Sequence, residues 1–342
     1  MASGAWMLLG GVMLVATACG EKASGPSKAP QDTAETGQKA TATALKVTTG
    51  FYPTAWLTER IASATSGAVT VRDLCPPKED PALWLPSVTE LLAFQESDLV
   101  VLNGADFAQW PSKASLPMSK VVDSARAFKD ELLTYTTTVT HSHGPGGAHT
   151  HEGIDGHTWV DPMTALLQGR AIHAALVKAR PDLEGQLDTG LAALSADLKG
   201  LDASLLALSE KHPDLKLLSA HLAFGYLARR YGWGLEDLDL DPKQPLTAPQ
   251  LARIEQTLEK HPAKVLLWES APSEAIAEQL QKQFGIVSVV FSTVEHAPTQ
   301  GDYRSAMAQN IKALAAGLDT AATQQPIKDP APSPPPTAPD SP

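Results

Sequence analysis

Short runs of β-branched and other apolar residues alternate along this chain with stretches whose apolar positions recur every three or four residues. The runs predict strands at Lys46–Thr49, Val69–Asp73, Leu99–Asn103, Val121–Asp123, Leu215–Ser219, Val265–Glu269 and Val287–Phe291. The three-and-four spacing predicts helices near 54–66, 86–96, 163–179, 222–231, 248–261, 273–284 and 302–318. Strands alternating with helices imply parallel sheets with helices on both faces, an α/β fold. The strands form an early group and a late group, and each group is enough for one lobe.

The clearest helix lies between those groups. Leu183, Leu187, Leu191, Leu194, Leu198, Leu201, Leu205 and Leu208 make one apolar stripe. This predicts a helix of about 28 residues, which at 1.5 Å per residue is about 42 Å long. Pro181 suits its first turn, and Pro213 after His212 marks its stop. Gly185, Gly190 and Gly200 each weaken it by up to about 1 kcal/mol relative to Ala, so packing has to hold it. It reads as a rigid spine joining two lobes. A cleft between two such lobes is a usual place for a small ligand.

The ends of the chain carry different patterns. An apolar run from Ala5 to Ala18 is too short to span a bilayer and ends in small residues, which reads as an export signal. Ala16-Thr17-Ala18-Cys19 resembles a bacterial lipobox, in which Cys19 carries the lipid, although no Lys or Arg precedes the run. Residues 20–44 are too poor in large apolar residues to bury a core and read as a tether. The Pro-rich tail reads as extended chain. The expected organisation is a signal peptide over 1–18, a tether over 19–44 and a first lobe over 45–180. A linking helix over 181–211, a second lobe over 212–322 and a tail over 323–342 complete it. No later segment is long and apolar enough to be a transmembrane helix, so contact with a membrane is expected through the lipid alone. The only other cysteine, Cys75, reads as a small buried hydrophobe. The net charge of −11 argues against nucleic acid and is compatible with a cation as partner.

Candidate chemistry concentrates in residues 141–161, HSHGPGGAHTHEGIDGHTWVD. Five of the ten histidines lie between His141 and His157. Neutral imidazole is the commonest side-chain ligand of zinc and similar metals, and a Gly-rich setting reads as a loop that lets several reach one ion. His157 follows the strands of the first lobe and His221 follows the first strand of the second, so an ion held by both would bridge the lobes. Glu269, at a strand end, reads as an acceptor for a ligand histidine or as one partner of a local pair. Trp84 and Trp159 read as cleft wall or core. His173 reads as surface or satisfied core, and His212 and His261 as helix terminators.

These stretches together resemble the metal receptors of bacterial zinc and manganese ABC transporters. The resemblance rests on VTTGFYPTAWLTERIA (47–62), LCPPKEDPALWLPSVTELLAFQESDLVVLNGADFAQW (74–110), GHTWVDP (156–162), SAHLAFGYLARRYG (219–232) and KVLLWESAPS (264–273). It implies two α/β lobes joined by a long rigid helix, with the metal in the cleft between them. It also implies a monomeric receptor that binds rather than catalyses, serving a permease and an ATPase from outside the cytoplasmic membrane. Such proteins use four ligands. His157, ahead of Trp159, Asp161 and Pro162, matches the second, and His221 matches the third. Histidine at the third position points to Zn²⁺ rather than Mn²⁺, which also suits ligand softness.

Two positions depart from that pattern. The first-ligand segment reads Asp80-Pro81-Ala82, with alanine where the histidine belongs, and the late loop has Ser292 where an aspartate is usual. Zinc asks for four donors, or three plus water. Three resolutions stand open. His141, His143, His149 and His151 fold into the cleft. Asp80, Glu295 or His296 substitutes. Or tight metal binding is lost and the cleft does something else. An alternative function is a metal buffer or chaperone that binds through its His-rich loop, with a degenerate cleft. A zinc hydrolase fits poorly, since the chain has no His-Glu-x-x-His and no nucleophile elbow.

Overall fold

The computed structural model describes residues 43–142 and 148–324. The leader, Cys19, the tether as far as residue 42, His143 and the tail from residue 325 lie outside the described residues, as do the side chains of His141, His149 and His151.

The first lobe is built on four parallel strands, β1 (Leu45–Thr49), β2 (Val69–Asp73), β3 (Leu99–Leu102) and β4 (Val121–Asp123), in the order β2-β1-β3-β4. Helix α1 (Tyr52–Ala62) joins β1 to β2, and α2 (Val88–Glu96) joins β2 to β3. Pro53 sits in the first turn of α1, where its missing N–H costs nothing. Ser87 and Glu90 cap α2 reciprocally. An antiparallel hairpin of β5 (Thr134–Ser142) and β6 (Ala148–Ile154) follows, then α3 (Pro162–Ala179).

After α4 (Glu184–Lys211) the second lobe repeats the plan. It has β7 (Lys216–Ser219), α5 (Gly225–Tyr231), β8 (Gly234–Asp237), α6 (Ala248–Lys260), β9 (Val265–Trp268), α7 (Glu274–Phe284) and β10 (Val287–Val290). Its parallel sheet has the order β10-β9-β7-β8. Read from its own first strand, that is the topology of the first lobe. Helix α8 (Tyr303–Thr323) then returns to pack on α4 and β10.

Every expected strand and helix is present, with ends displaced by a few residues. Two features depart from expectation. Residues read as a Gly-rich loop form the β5–β6 hairpin, in which His141 stands opposite His149 and Val139 opposite His151. The β-branched run of Thr and Val over 136–140 carries the composition of a strand, which the metal-binding reading of the histidines after it obscured. The strand β8 was also not anticipated, because Gly234 opens it and only four residues form it.

The spine is α4, preceded by a 3₁₀ turn at Pro181–Leu183. Its buried face runs Leu187, Gly190, Leu194, Leu198, Leu201, Leu205 and Leu208. Leu191, counted in the stripe, is only partly buried, and Gly190 takes the inward position. A Cβ at Gly190 would run into the carbonyl of Ile61, so glycine lets α1 lie directly against α4. Each fully buried leucine contributes about 1.5–3 kcal/mol, which outweighs the helix penalty of the glycines. One apolar core runs from the first sheet through α4 to the inner face of the second, and a separate cluster fills the second sheet's far side.

Candidate metal centre

In each sheet the first strand sends its crossovers in opposite directions, and the resulting crevice at the carboxyl ends is where α/β folds bind ligands. In the second lobe this crevice lies between β7 and β9. Beyond β7, the Ala220 N–H donates to the carbonyl of Leu267 at 2.9 Å, carrying the alignment one residue further. His221 follows at once, and Glu269 is the first residue beyond β9. Glu295 lies in the loop after β10. Ser292 shapes that loop. Its N–H donates to Asn310 Oδ1 at 3.1 Å, its carbonyl accepts from Asn310 Nδ2 at 2.7 Å, and its hydroxyl accepts from the Val294 N–H at 3.1 Å.

The first lobe works indirectly. Its crevice residue, Asn103, reaches across to the segment after β6. Asn103 Nδ2 donates to the carbonyl of Gly156 at 2.9 Å, and its Oδ1 accepts from Thr158 Oγ1 at 3.2 Å and Gln168 Nε2 at 2.8 Å. His157 is clamped between those attachments. Asp161 then caps α3 by accepting from the N–H groups of Met163 and Thr164, with Pro162 in the first turn. The hairpin's root ties the same segment to the second lobe. Tyr226 Oη donates to the Asp155 carbonyl at 2.8 Å, and Tyr135 Oη donates to the Leu222 carbonyl at 3.0 Å. Trp159 Nε1 donates to the Thr293 carbonyl at 2.7 Å from beside His157.

These elements bring two imidazoles together from opposite lobes. The rings of His157 and His221 lie 5.5 Å apart at 85°, and both residues are buried. One donor atom each from His157, His221 and Glu269 lies within 4.8 Å of the other two. His221 Nε2 is 3.7 Å from Glu269 Oε1, and His157 Nε2 is 3.9 Å from Glu295 Oε1. A tetrahedral ion at about 2.1 Å from its donors holds them about 3.4 Å apart, so a small contraction would close this set on one ion. Asp155 Oδ1 accepts from the His157 backbone N–H and stands 2.9 Å from Nδ1. With the proton on Nδ1, that carboxylate aims Nε2 at the other donors. Burial opposes a charge on His157, but the Asp155 hydrogen bond and the fields of Asp155, Glu269 and Glu295 outweigh it and raise its pKa. The carboxylates thus make a pocket that favours positive charge.

The structure divides the expected residues. His157 and His221 come together, and Glu295 stands against His157. Asp80 does not join the His157–His221–Glu269 group, and its Oδ1 instead accepts from the Ala82 N–H at 2.9 Å. Ala82 is buried, with its carbonyl 3.4 Å from the Gln109 amide nitrogen that donates to it. His296 lies near enough to Asp80 to feel its field, although burial lowers its pKa. Glu269 was read as a supporting acceptor or a local partner, yet it stands among the candidate donors. Its position just past β9 was the available signal. Trp84 packs with Phe94 and Trp110 in the core. Cys75 is buried, and desolvation, ahead of the nearby acids, pushes its thiol up to about 12.

Two parallel α/β lobes on a helical spine, with imidazoles and carboxylates converging between them, define a bilobal solute-binding protein suited to a metal cation. The match to known families is specific: residues 47–317 fit the family described as zinc-uptake complex component A, periplasmic, and the chain belongs to it. The resemblance read from the sequence therefore holds over nearly the whole folded part. The family is one of substrate-binding receptors. The chain is 28% identical over 280 residues to the high-affinity zinc uptake system protein ZnuA of Bacillus subtilis, covering 79% of this chain and 86% of that one. It is 27% identical over 280 residues to the zinc-binding lipoprotein AdcA of Streptococcus pneumoniae, covering 79% of this chain and 55% of that longer protein. The crystal structure of the metal-dependent lipoprotein YcdH from Bacillus subtilis superposes with a TM-score of 0.68 at 26% identity, covering 80% of this chain and 98% of that one.

Proposed function

We propose that this chain is a lipid-anchored receptor that captures Zn²⁺ between its lobes outside the cytoplasmic membrane and passes it to an ABC permease and its ATPase. His157, His221 and Glu295 hold the ion, with Glu269 as the fourth donor in place of the histidine that Ala82 replaces. The observation that carries this reading is the approach of two buried imidazoles from opposite lobes to 5.5 Å, flanked by carboxylates. Membership of the zinc-uptake family and the zinc-binding names of the relatives support it. Two imidazoles with carboxylates suit zinc better than manganese. Binding of the ion displaces any proton on His157 or His221, so affinity falls on acidification. Cys19 is the proposed anchor, and no helix among the described residues is long and apolar enough to cross a membrane.

Calorimetric titration of the metal-free protein tests the assignment. One zinc ion per chain is expected, and the double substitution His157→Ala with His221→Ala should weaken binding more than about 1,000-fold. Unchanged stoichiometry and affinity would refute the cleft site. The His141–His149 register on the hairpin supports a second reading, in which that hairpin buffers metal. Deleting 141–151 separates the two: a surviving tight site is the cleft, and loss of all tight binding is the buffer.

A further inference from the structure

The first lobe has a crevice of its own, and it is not the metal centre. A cavity of about 230 Å³ opens at the carboxyl ends of β1 and β3, the point where that sheet's crossovers part. Phe51, Phe107, Trp110 and Met118 supply apolar lining, and Asp106 and Asp123 lie at its edge. Neither His157, His221 nor Glu269 lines it.

Three further observations mark this cavity as a binding site rather than a packing fault. Trp110 is 2% exposed, yet its Nε1 has no hydrogen-bond partner among the described residues. A buried donor left without an acceptor costs about 1–3 kcal/mol, and here the donor belongs to the cavity wall beside Gly50. The loop over the cavity holds three successive residues in the left-handed region, Gly104 at φ +77°, Ala105 at +50° and Asp106 at +53°. Glycine is required at the first, because a Cβ there would strike the Asp123 carboxylate. Alanine gains nothing from that conformation, and such strain collects at functional sites. Aromatic faces beside two carboxylates are also the surroundings an ammonium group favours.

We infer that this cavity binds a small organic amine: an apolar body among Phe51, Phe107 and Met118, an ammonium facing Asp106 and Asp123, and an acceptor atom for Trp110 Nε1. This site is separate from the metal centre, so its fate does not depend on the zinc assignment. L-phenylalaninamide carries all three features and serves as the probe. Calorimetry on the full chain, metal-free and zinc-loaded, should give one molecule per chain in both states. In a ¹H–¹⁵N spectrum the Trp110 indole N–H, assigned by its loss in Trp110→Phe, should move on titration. Phenylacetamide, which lacks the ammonium, should bind about tenfold more weakly. Asp123→Asn keeps the acceptor for the Ala125 N–H and should weaken the amine about tenfold while leaving the zinc titration unchanged. Ser112→Trp places a large ring at the cavity wall and should abolish binding. No saturable binding of L-phenylalaninamide overturns the inference. So does binding that leaves the Trp110 signal still, or that Asp123→Asn does not change. If Ser112→Trp fails to fold, the indole signal and Asp123→Asn decide the matter.

Discussion

The two lobes share one strand order and use its crevice in opposite ways. In the second, the residues just past β7 and β9 are His221 and Glu269, and both point their chemistry at the cleft. In the first, the corresponding places past β1 and β3 hold Gly50-Phe51 and Asn103. Phe51 packs on Trp159 with ring centroids 4.8 Å apart, and Asn103 holds both neighbours of His157, through the Gly156 carbonyl and the Thr158 hydroxyl. One lobe thus offers candidate donors from its own strand ends. The other uses its strand ends as a frame for a single histidine carried on a separate segment. With Ala82 in the first-ligand position, three of the four proposed donors belong to the second lobe. That lobe is then the natural holder of the ion, and the first lobe's histidine closes the site.

The sharpest way to break this comparison is to remove one imidazole at a time. His221→Ala should weaken zinc by about 1,000-fold, because it dismantles the group built on one rigid lobe. His157→Ala should cost about 100-fold, since His221 and Glu269 remain 3.7 Å apart on the second lobe. Calorimetry or competition with a chelator of known affinity reads both. Equal losses would mean the lobes contribute evenly, and the reverse order that the first lobe leads.

The next effect tests the frame. Asp155→Asn keeps an oxygen near His157 Nδ1 but removes the charge that raises its pKa and fixes its tautomer. Changing such a supporting group costs about 10- to 100-fold in metal affinity. The pH dependence should move with it. In the native chain the raised pKa of His157 makes protons compete with zinc from above the ordinary histidine range, so affinity falls early on acidification. In Asp155→Asn that fall should begin at lower pH. An unshifted profile would leave Asp155 a merely structural role. Smaller still is the gain from Ala82→His, which would give the first lobe a second donor and tighten zinc about tenfold. No gain would mean that Glu269 already fills the sphere.

Why the lobes were unequally legible in the sequence follows from the same contrast. The strands and helices declared themselves through β-branched runs and the leucine stripe, because both periods report burial. His221 was legible because it stands one residue past an apolar run ended by Ser219-Ala220. Glu269 stands in the same relation to β9, but an acid at a strand end has many uses and only the fold shows that β7 and β9 are neighbours. The clamp on His157 was not legible at all: Asn103 lies 54 positions before it, and no local pattern links them. Gly190 looked like a defect in α4 and proved to be the contact point with α1, because close approach of two backbones leaves no mark in a periodic pattern.

The smallest effect uses a feature both lobes repeat. At the end of each sheet's second strand an aspartate takes a hydrogen bond from a hydroxyl on the first: Thr49 Oγ1 to Asp73 at 3.4 Å, and Ser219 Oγ to Asp237 at 3.1 Å. Burial pushes Asp73 up to about 6 and Asp237 up to about 7. A carboxyl whose pKa is higher in the folded than in the unfolded chain contributes stability below its unfolded value of about 4, and loses it as pH rises through the folded value. The loss should therefore run up to about pH 6 for Asp73 and about pH 7 for Asp237. Asparagine has no proton to lose, though it is the weaker acceptor for the hydroxyl. At pH 8, Asp237→Asn should raise unfolding stability by about 1 kcal/mol, and Asp73→Asn by less. Both gains should largely disappear by about pH 4, where the carboxyls are protonated in the folded chain and about half protonated in the unfolded one. Urea unfolding at pH 4, 6 and 8 makes the comparison. A larger gain at Asp73, or gains indifferent to pH, would show that the two lobes do not share this device despite sharing its residues.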